Sequence, residues 1–196
     1  MLADGREARR LGLDALSGKG AGRYHAPIRG RGAETEQIEH GFAAVHAGDQ
    51  AVTLLSGDPG IGKTRLLQHA LDIATDRGWK TMVVAPDVDS PLSPLGAMIG
   101  AATRTDPPLV ANNDIGPLMQ SPAPKYWLTR IIAEGLESMA GGSGALVIVD
   151  DLQWLDAGSL GAVSALMHDL QGVPIYWLLA TRTGVYSPAP QRFLAR

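Results

Sequence analysis

Eight consecutive residues, Gly57-Asp58-Pro59-Gly60-Ile61-Gly62-Lys63-Thr64, have the types and spacing of a loop that holds phosphate oxygens. A nucleoside triphosphate carries several negative charges. Successive backbone N–H groups in a glycine-rich turn make a concave donor array for them. Gly57, Gly60 and Gly62 admit backbone angles that side chains forbid, and they allow close approach. A helix that starts at the end of the loop turns its partly positive N-terminus toward the same oxygens. Lys63 is expected to reach the β- and γ-phosphates and to act in catalysis, and the Thr64 hydroxyl to ligate Mg²⁺. The Arg65 backbone N–H is placed to meet a phosphate, with no role assigned to its side chain. The plain alternative is a glycine-rich turn that happens to precede Lys-Thr, and the flanking elements weigh against it.

A second pattern supports the first. Ala145-Leu146-Val147-Ile148-Val149 is an apolar run that ends in Asp150-Asp151. Such a run suits a central parallel strand covered on both faces. Carboxylates at its C-terminal end emerge at the sheet edge where open α/β folds bind ligands. This is a Walker B pattern, in which Asp150 holds Mg²⁺ and Asp151 orients or deprotonates the attacking water. By itself the run is equally a strand followed by an acidic turn. It gains weight from the phosphate loop upstream.

The elements that position these groups follow from periodicity. Residues 51–56 read as a short buried strand feeding the loop. Residues 64–77 read as a helix, with Leu66, Leu67, Ala70, Leu71 and Ala74 at helical spacing. Upstream, residues 34–47 suggest a helix with Ile38, Phe42, Ala43 and Val45 on its apolar face. Downstream, 80–85 reads as a strand, 87–94 as a Pro/Ser/Asp loop and 95–103 as a helix. Residues 106–124, rich in Pro and Asn, read as an excursion with little regular structure. Residues 126–139 suggest an amphipathic helix closed by Gly141-Gly142-Ser143-Gly144. A helix over 158–170 and a strand over 175–181 complete the series. Alternating strands and helices imply an α/β fold with a mostly parallel sheet. Residues 1–27 read as a flexible N-terminal arm with a short helix near 7–16.

Composition narrows the function classes. The chain has 196 residues, enough for one α/β domain with a sizeable core. Hydrophobic residues make up 45% and charged residues 19%, which points to a globular fold rather than disorder. The net charge is −3 and no dense Lys/Arg block occurs, so direct nucleic-acid binding by this chain is not expected. There is no cysteine, which excludes disulfides and Cys-ligated zinc. His25, His40, His46, His69 and His168 lack metal-ligand spacing. No apolar run reaches membrane-spanning length and no signal-peptide core is present, so a cytoplasmic location is expected.

Taken with both motifs, several stretches resemble the signal-transducing P-loop ATPases of the AAA/STAND type. The resemblance is to the N-terminal ATPase domain of large LuxR-type transcriptional regulators. Ile28-Arg29-Gly30-Arg31-Gly32-Ala33-Glu34 is similar to the family's lead-in segment beside the adenine, with Gly32 where the family usually has Glu. Asp150-Asp151-Leu152-Gln153-Trp154-Leu155-Asp156, with Ser159-Leu160 after it, resembles the specific stretch of the family, with Gln153 where His is common. Leu178-Leu179-Ala180-Thr181-Arg182 resembles its sensor strand. The resemblance covers residues 28–196 and implies a three-layer P-loop NTPase fold. It implies ATP or ADP with Mg²⁺ as ligands, Gly30 and Arg31 on the nucleotide, and Arg182 in catalysis, sensing the γ-phosphate or stabilising charge that develops during transfer. It also implies sheet order 5-1-4-3-2. The chain ends at Arg196, soon after the sensor strand, without the family's fifth strand, lid, winged-helix and DNA-binding regions. The first strand is then an edge, and self-association or pairing with further C-terminal segments is expected.

Two smaller roles are read from the residues. Asp156 is expected to cap the helix after it, with pairing to a basic group as the alternative, and Trp154 to anchor packing rather than stack on a base. The function expected is an ATP-binding switch with slow hydrolysis. The alternatives are a nucleotide-binding or interaction module that does not hydrolyse, and an inactive truncated remnant. A small-molecule kinase fits the paired aspartates less well, and a transporter ATPase lacks its L-S-G-G-Q signature.

Overall fold

The computed structural model describes residues 30–86 and 94–183. The expected N-terminal arm, most of the 87–94 loop and the stretch after Thr183 lie outside the described residues. The described chain runs α1 (Gly32–His46), β1 (Ala51–Gly57), α2 (Lys63–Asp76), β2 (Lys80–Val84) and α3 (Gly96–Thr103). It continues with α4 (Asn112–Met119), α5 (Pro124–Ser143), β3 (Ala145–Val149), a 3₁₀ turn (Leu152–Trp154), α6 (Ala157–Asp169) and β4 (Ile175–Arg182).

The four strands form one all-parallel sheet in the order β1-β4-β3-β2. Alternate side chains divide the strands between two cores. On one face Leu55, Leu146, Ile148, Tyr176, Leu178 and Ala180 pack with α1 and α2. On the other, Met82, Val84, Val147, Val149, Trp177 and Leu179 pack with α3, α5 and α6. Three layers result. Full burial of each large apolar side chain contributes roughly 1.5–3 kcal/mol before chain entropy is counted.

The helices form for reasons visible in their residues. α2 buries Leu66, Leu67, Ala70, Leu71 and Ala74, the stripe that its spacing predicts. α1 buries Ile38, Phe42 and Val45, with Ala43 exposed. Its Gly41 is required by close approach: a Cβ there would stand 2.3 Å from the Tyr176 ring. The Phe42 ring meets the Tyr176 ring edge-on at 5.2 Å and the Trp79 ring at 5.0 Å.

Three expectations are corrected. The 106–124 stretch contains a two-turn helix, α4, despite Gly116 and Pro117. Its partly buried Ile115 and Leu118 pack on the core, so tertiary contact outweighs low helix propensity. α5 runs on through Gly141 and Gly142 to Ser143 and stops at Gly144, whose φ is 108°. β1 is half-buried rather than buried. Thr53 and Leu55 face the α1–α2 core, while Val52 and Leu54 are 52% and 39% exposed. They lie beside Trp177 and Leu179 in register, on the face where no described helix reaches the edge strand.

Candidate functional site

The phosphate-type loop joins β1 to α2 as the sequence requires. Gly60 has φ 79° and Gly62 φ 99°, values that a side chain resists, and Gly62 is the N-cap of α2. The Arg65 and Leu66 N–H groups reach back to the Gly62 carbonyl at 3.1 and 3.2 Å. The first amides of a helix otherwise lack intrahelical partners, so this end of α2 offers donors to an anion. Residues Asp58 to Gly62 are exposed, and Lys63, Thr64 and Arg65 half-buried. The Lys63 ammonium donates to the Gly57 and Asp58 carbonyls at 2.6 and 3.0 Å, so it bridges the mouth of the loop.

Two side chains tie this loop to its surroundings. Arg31, the N-cap of α1, donates from Nη2 to the Ile61 carbonyl at 2.9 Å and pairs through Nη1 with Glu34. The Thr183 hydroxyl bonds the Asp58 carboxylate, and the Thr183 N–H donates to the Gly57 carbonyl at 3.3 Å. The loop is therefore clamped between the start of α1 and the end of β4. Neither tie was read from the sequence, because each links residues far apart in the chain.

The two aspartates stand at the end of β3, next to β4. The Asp150 N–H continues the ladder by donating to the Val84 carbonyl at 2.9 Å. The Asp150 carboxylate is buried and accepts the Asp151 N–H at 2.8 Å. Burial, and then the neighbouring Asp151 charge, push its carboxyl up from 3.8 to about 6. The Asp151 N–H, Lys63 and Arg182 pull the other way, which places both cations within electrostatic reach of this carboxylate. Asp151 itself sits in the left-handed region, φ 46° and ψ 47°. That conformation costs a non-glycine residue about 1–3 kcal/mol.

Asp151 is engaged on both oxygens. Arg182 Nε donates to Oδ1 at 3.2 Å and Nη2 to Oδ2 at 3.3 Å. Gln153 Nε2 donates to Oδ1 at 2.7 Å. The sequence noted Gln153 only as an unusual residue in its stretch and missed it as part of the site. Its signal was weak, since nothing in the local pattern shows that it is buried.

Asp156 caps α6, as expected. Its carboxylate accepts from the Ser159 N–H at 2.7 Å, from the Ser159 hydroxyl at 2.6 Å and from the Leu95 N–H at 3.0 Å. Burial opposes its charge, but these hydrogen bonds hold the carboxyl below its ordinary value. Trp154 corrects an expectation: it is 57% exposed and does not anchor packing.

The donor set suits a hard cation. The Thr64 hydroxyl and the Asp150 carboxylate are oxygen ligands of the kind Mg²⁺ takes. The raised Asp150 carboxyl marks a charge that a cation would compensate. Among the described residues no group of three His, Cys, Asp or Glu side chains forms a protein-only metal cage. Mg²⁺ usually keeps waters and shares phosphate oxygens, so it needs no such cage.

A family model for an AAA ATPase domain matches residues 27–179, well over half of the chain. The chain belongs to the AAA ATPase domain family. Two solved structures agree with this AAA domain in fold. One is the crystal structure of a DNA replication initiation factor, with TM-score 0.50 and 16% identity over 88% of this chain and 46% of the other. The second is AMPPCP-bound DnaA from Aquifex aeolicus, with TM-score 0.51 and 16% identity over 92% and 47%. At such identity the likeness shows the fold alone, and this chain spans just under half the length of either. Comparison with curated proteins gave no match. Among the described residues, no helix of this AAA domain is long and apolar enough to cross a membrane.

Proposed function

We infer that this AAA domain binds Mg·ATP and hydrolyses it slowly, as the nucleotide switch of a LuxR-type signal-transducing regulator in the cytoplasm. One arrangement carries the reading: Lys63 at the loop mouth, the buried Asp150 within its electrostatic reach, and Asp151 joined to Arg182. Residues 57–65 would hold the phosphates, with Lys63 on the β- and γ-oxygens. Gly30 and Arg31 would lie at the base side, with Arg31 also setting the loop through Ile61. Mg²⁺, held by Thr64 and Asp150, would neutralise charge on the phosphates. Asp151 would orient the attacking water and accept its proton, and Arg182 would stabilise charge developing on the γ-phosphoryl oxygens. The AMPPCP-bound relative supports a nucleotide as the ligand. ATP over GTP and the regulator role rest on the family resemblance.

A second reading is a module that binds nucleotide without hydrolysing it. The Asp151–Arg182 pair favours it, because a carboxylate held on both oxygens is a poor base. Steady-state turnover of Mg·ATP by the parent and Asp151→Asn separates the two. Slow turnover that falls by about 100-fold in Asp151→Asn, while staying measurable, supports the switch with hydrolysis. Binding with no turnover in the parent supports the second reading. The exposed edge of β1, with Val52 and Leu54, supports self-association or pairing with C-terminal segments. Light scattering of the purified chain would read that association.

A further inference from the structure

We propose that Gln153 is the positioning residue of this site, holding the Asp151 carboxylate in place by anchoring it to the end of β4. The inference rests on the ATPase reading above and adds a residue to it. Gln153 is 6% exposed and is held on both ends of its amide. Its Oε1 accepts the Arg182 N–H at 3.0 Å and the Thr181 hydroxyl at 3.1 Å. Its Nε2 donates to Asp151 Oδ1 at 2.7 Å. The orientation of the amide is fixed by chemistry. A backbone N–H can only donate, so the oxygen must face Arg182 and the NH₂ must face the carboxylate.

The backbone explains why a side chain is needed there. β3 ends at Val149, in register with Leu179, so β4 runs three residues past its neighbour. The Arg182 N–H has no β3 carbonyl to meet, and a buried donor left unpaired costs about 1–3 kcal/mol. Gln153 Oε1 takes the place of the missing ladder acceptor. The 3₁₀ turn brings it back: Asp151 adopts its left-handed conformation and the Trp154 N–H closes on the Asp151 carbonyl at 2.8 Å. One amide therefore satisfies the strand that carries Arg182 and fixes the carboxylate that Arg182 pairs with. When a γ-phosphate draws the guanidinium away, the Gln153 bond remains and keeps Asp151 oriented toward water.

The test uses Gln153→Met, which is close in length and has no hydrogen-bonding amide. A misplaced catalytic group costs about 100-fold, so kcat is expected to fall by about that factor. Mg·ATP affinity should stay within about threefold, because Lys63, Thr64 and Asp150 make no described bond to Gln153. In a double-mutant cycle, Gln153→Met added to Asp151→Asn should slow turnover no further, since the glutamine acts through Asp151. A kcat within about twofold of the parent, or losses that multiply in the double variant, would overturn the proposal. Should Gln153→Met fail to fold, Thr181→Val removes one of the two donors to Oε1. It should lower kcat by about threefold at constant KM, and parental kcat would count against the role. Hydrogen exchange at the Arg182 amide gives a reading independent of turnover. It should be slow in the parent and at least about tenfold faster in Gln153→Met; fast exchange in the parent would mean that the anchor does not exist. A parent that holds the slow amide and turns over no ATP would overturn the hydrolysis reading, and the catalytic role of Gln153 with it, while leaving the anchor standing.

Discussion

Arg182 at the end of β4 reaches across the sheet edge and holds both oxygens of Asp151, with Nε at 3.2 Å and Nη2 at 3.3 Å. The two residues are 31 positions apart in sequence, and adjacent parallel strands bring them together. The pair is partly solvated, with side chains 35% and 29% exposed. Its contribution to stability is accordingly about 1 kcal/mol or less. Its consequence is chemical: the guanidinium that would stabilise the transferring phosphoryl group restrains the carboxylate that would activate water.

Arg182→Ala should therefore lower kcat by about 100-fold, the scale of losing a transition-state donor. Mg·ATP affinity should change far less, and the melting temperature by only about 1–4 °C. Steady-state kinetics beside a thermal melt would check this. Turnover equal to the parent's would remove Arg182 from the site.

The Asp150 carboxyl makes a prediction about pH. Its folded value of about 6 lies above the ordinary 3.8, so the folded protein binds this proton more tightly than the unfolded chain. Stability from this group is present below pH 4 and is lost as pH rises toward 6, on the order of 2–3 kcal/mol in the nucleotide-free protein. Asp150→Asn should flatten that part of the profile. Mg²⁺ with nucleotide should compensate the charge and restore stability above pH 6. Urea titrations at pH 4.5 and 7 for both variants would show it, and parallel profiles would exclude the effect.

Asp156→Ala should destabilise the fold by about 1–3 kcal/mol, more than an ordinary cap. The carboxylate serves the first turn of α6 through Ser159 and also the Leu95 N–H at the start of α3. Chemical denaturation measures the loss. A change under about 0.5 kcal/mol would show that water replaces these bonds.

Much of the sheet was legible because periodicity reports burial directly. The α2 stripe and the β3 run were read at nearly their observed bounds, and Asp156 was read as a cap from its residue type. Three kinds of feature were not legible. α4 contains Gly116 and Pro117, and only the packing of Ile115 and Leu118 makes it a helix. The exposed side of β1 depends on what lies beside it, and an apolar run such as Val52-Thr53-Leu54-Leu55 looks the same at an edge as in the middle. The ties Arg31 to Ile61, Thr183 to Asp58 and Gln153 to Arg182 join separate elements, and no local pattern encodes such a pairing. Asp150, Asp151 and Arg182 stand together at the C-terminal ends of β3 and β4, while the side chains that hold them emerged only from the fold.

Gly41→Ala should cost about 1–3 kcal/mol, because the added methyl would fall within 2.3 Å of the Tyr176 ring. The effect would appear as a lower melting temperature. An unaltered melt would mean that α1 moves freely over the sheet.

The most direct measurement is equilibrium binding of Mg·ATP to the parent and to Lys63→Ala, both shown to be folded by thermal melt. The account predicts saturable binding by the parent, weakened by at least about 100-fold in Lys63→Ala, because the ammonium at Gly57 and Asp58 would move onto the phosphates. Equal affinity in the two proteins, or no binding by a folded parent, would contradict it.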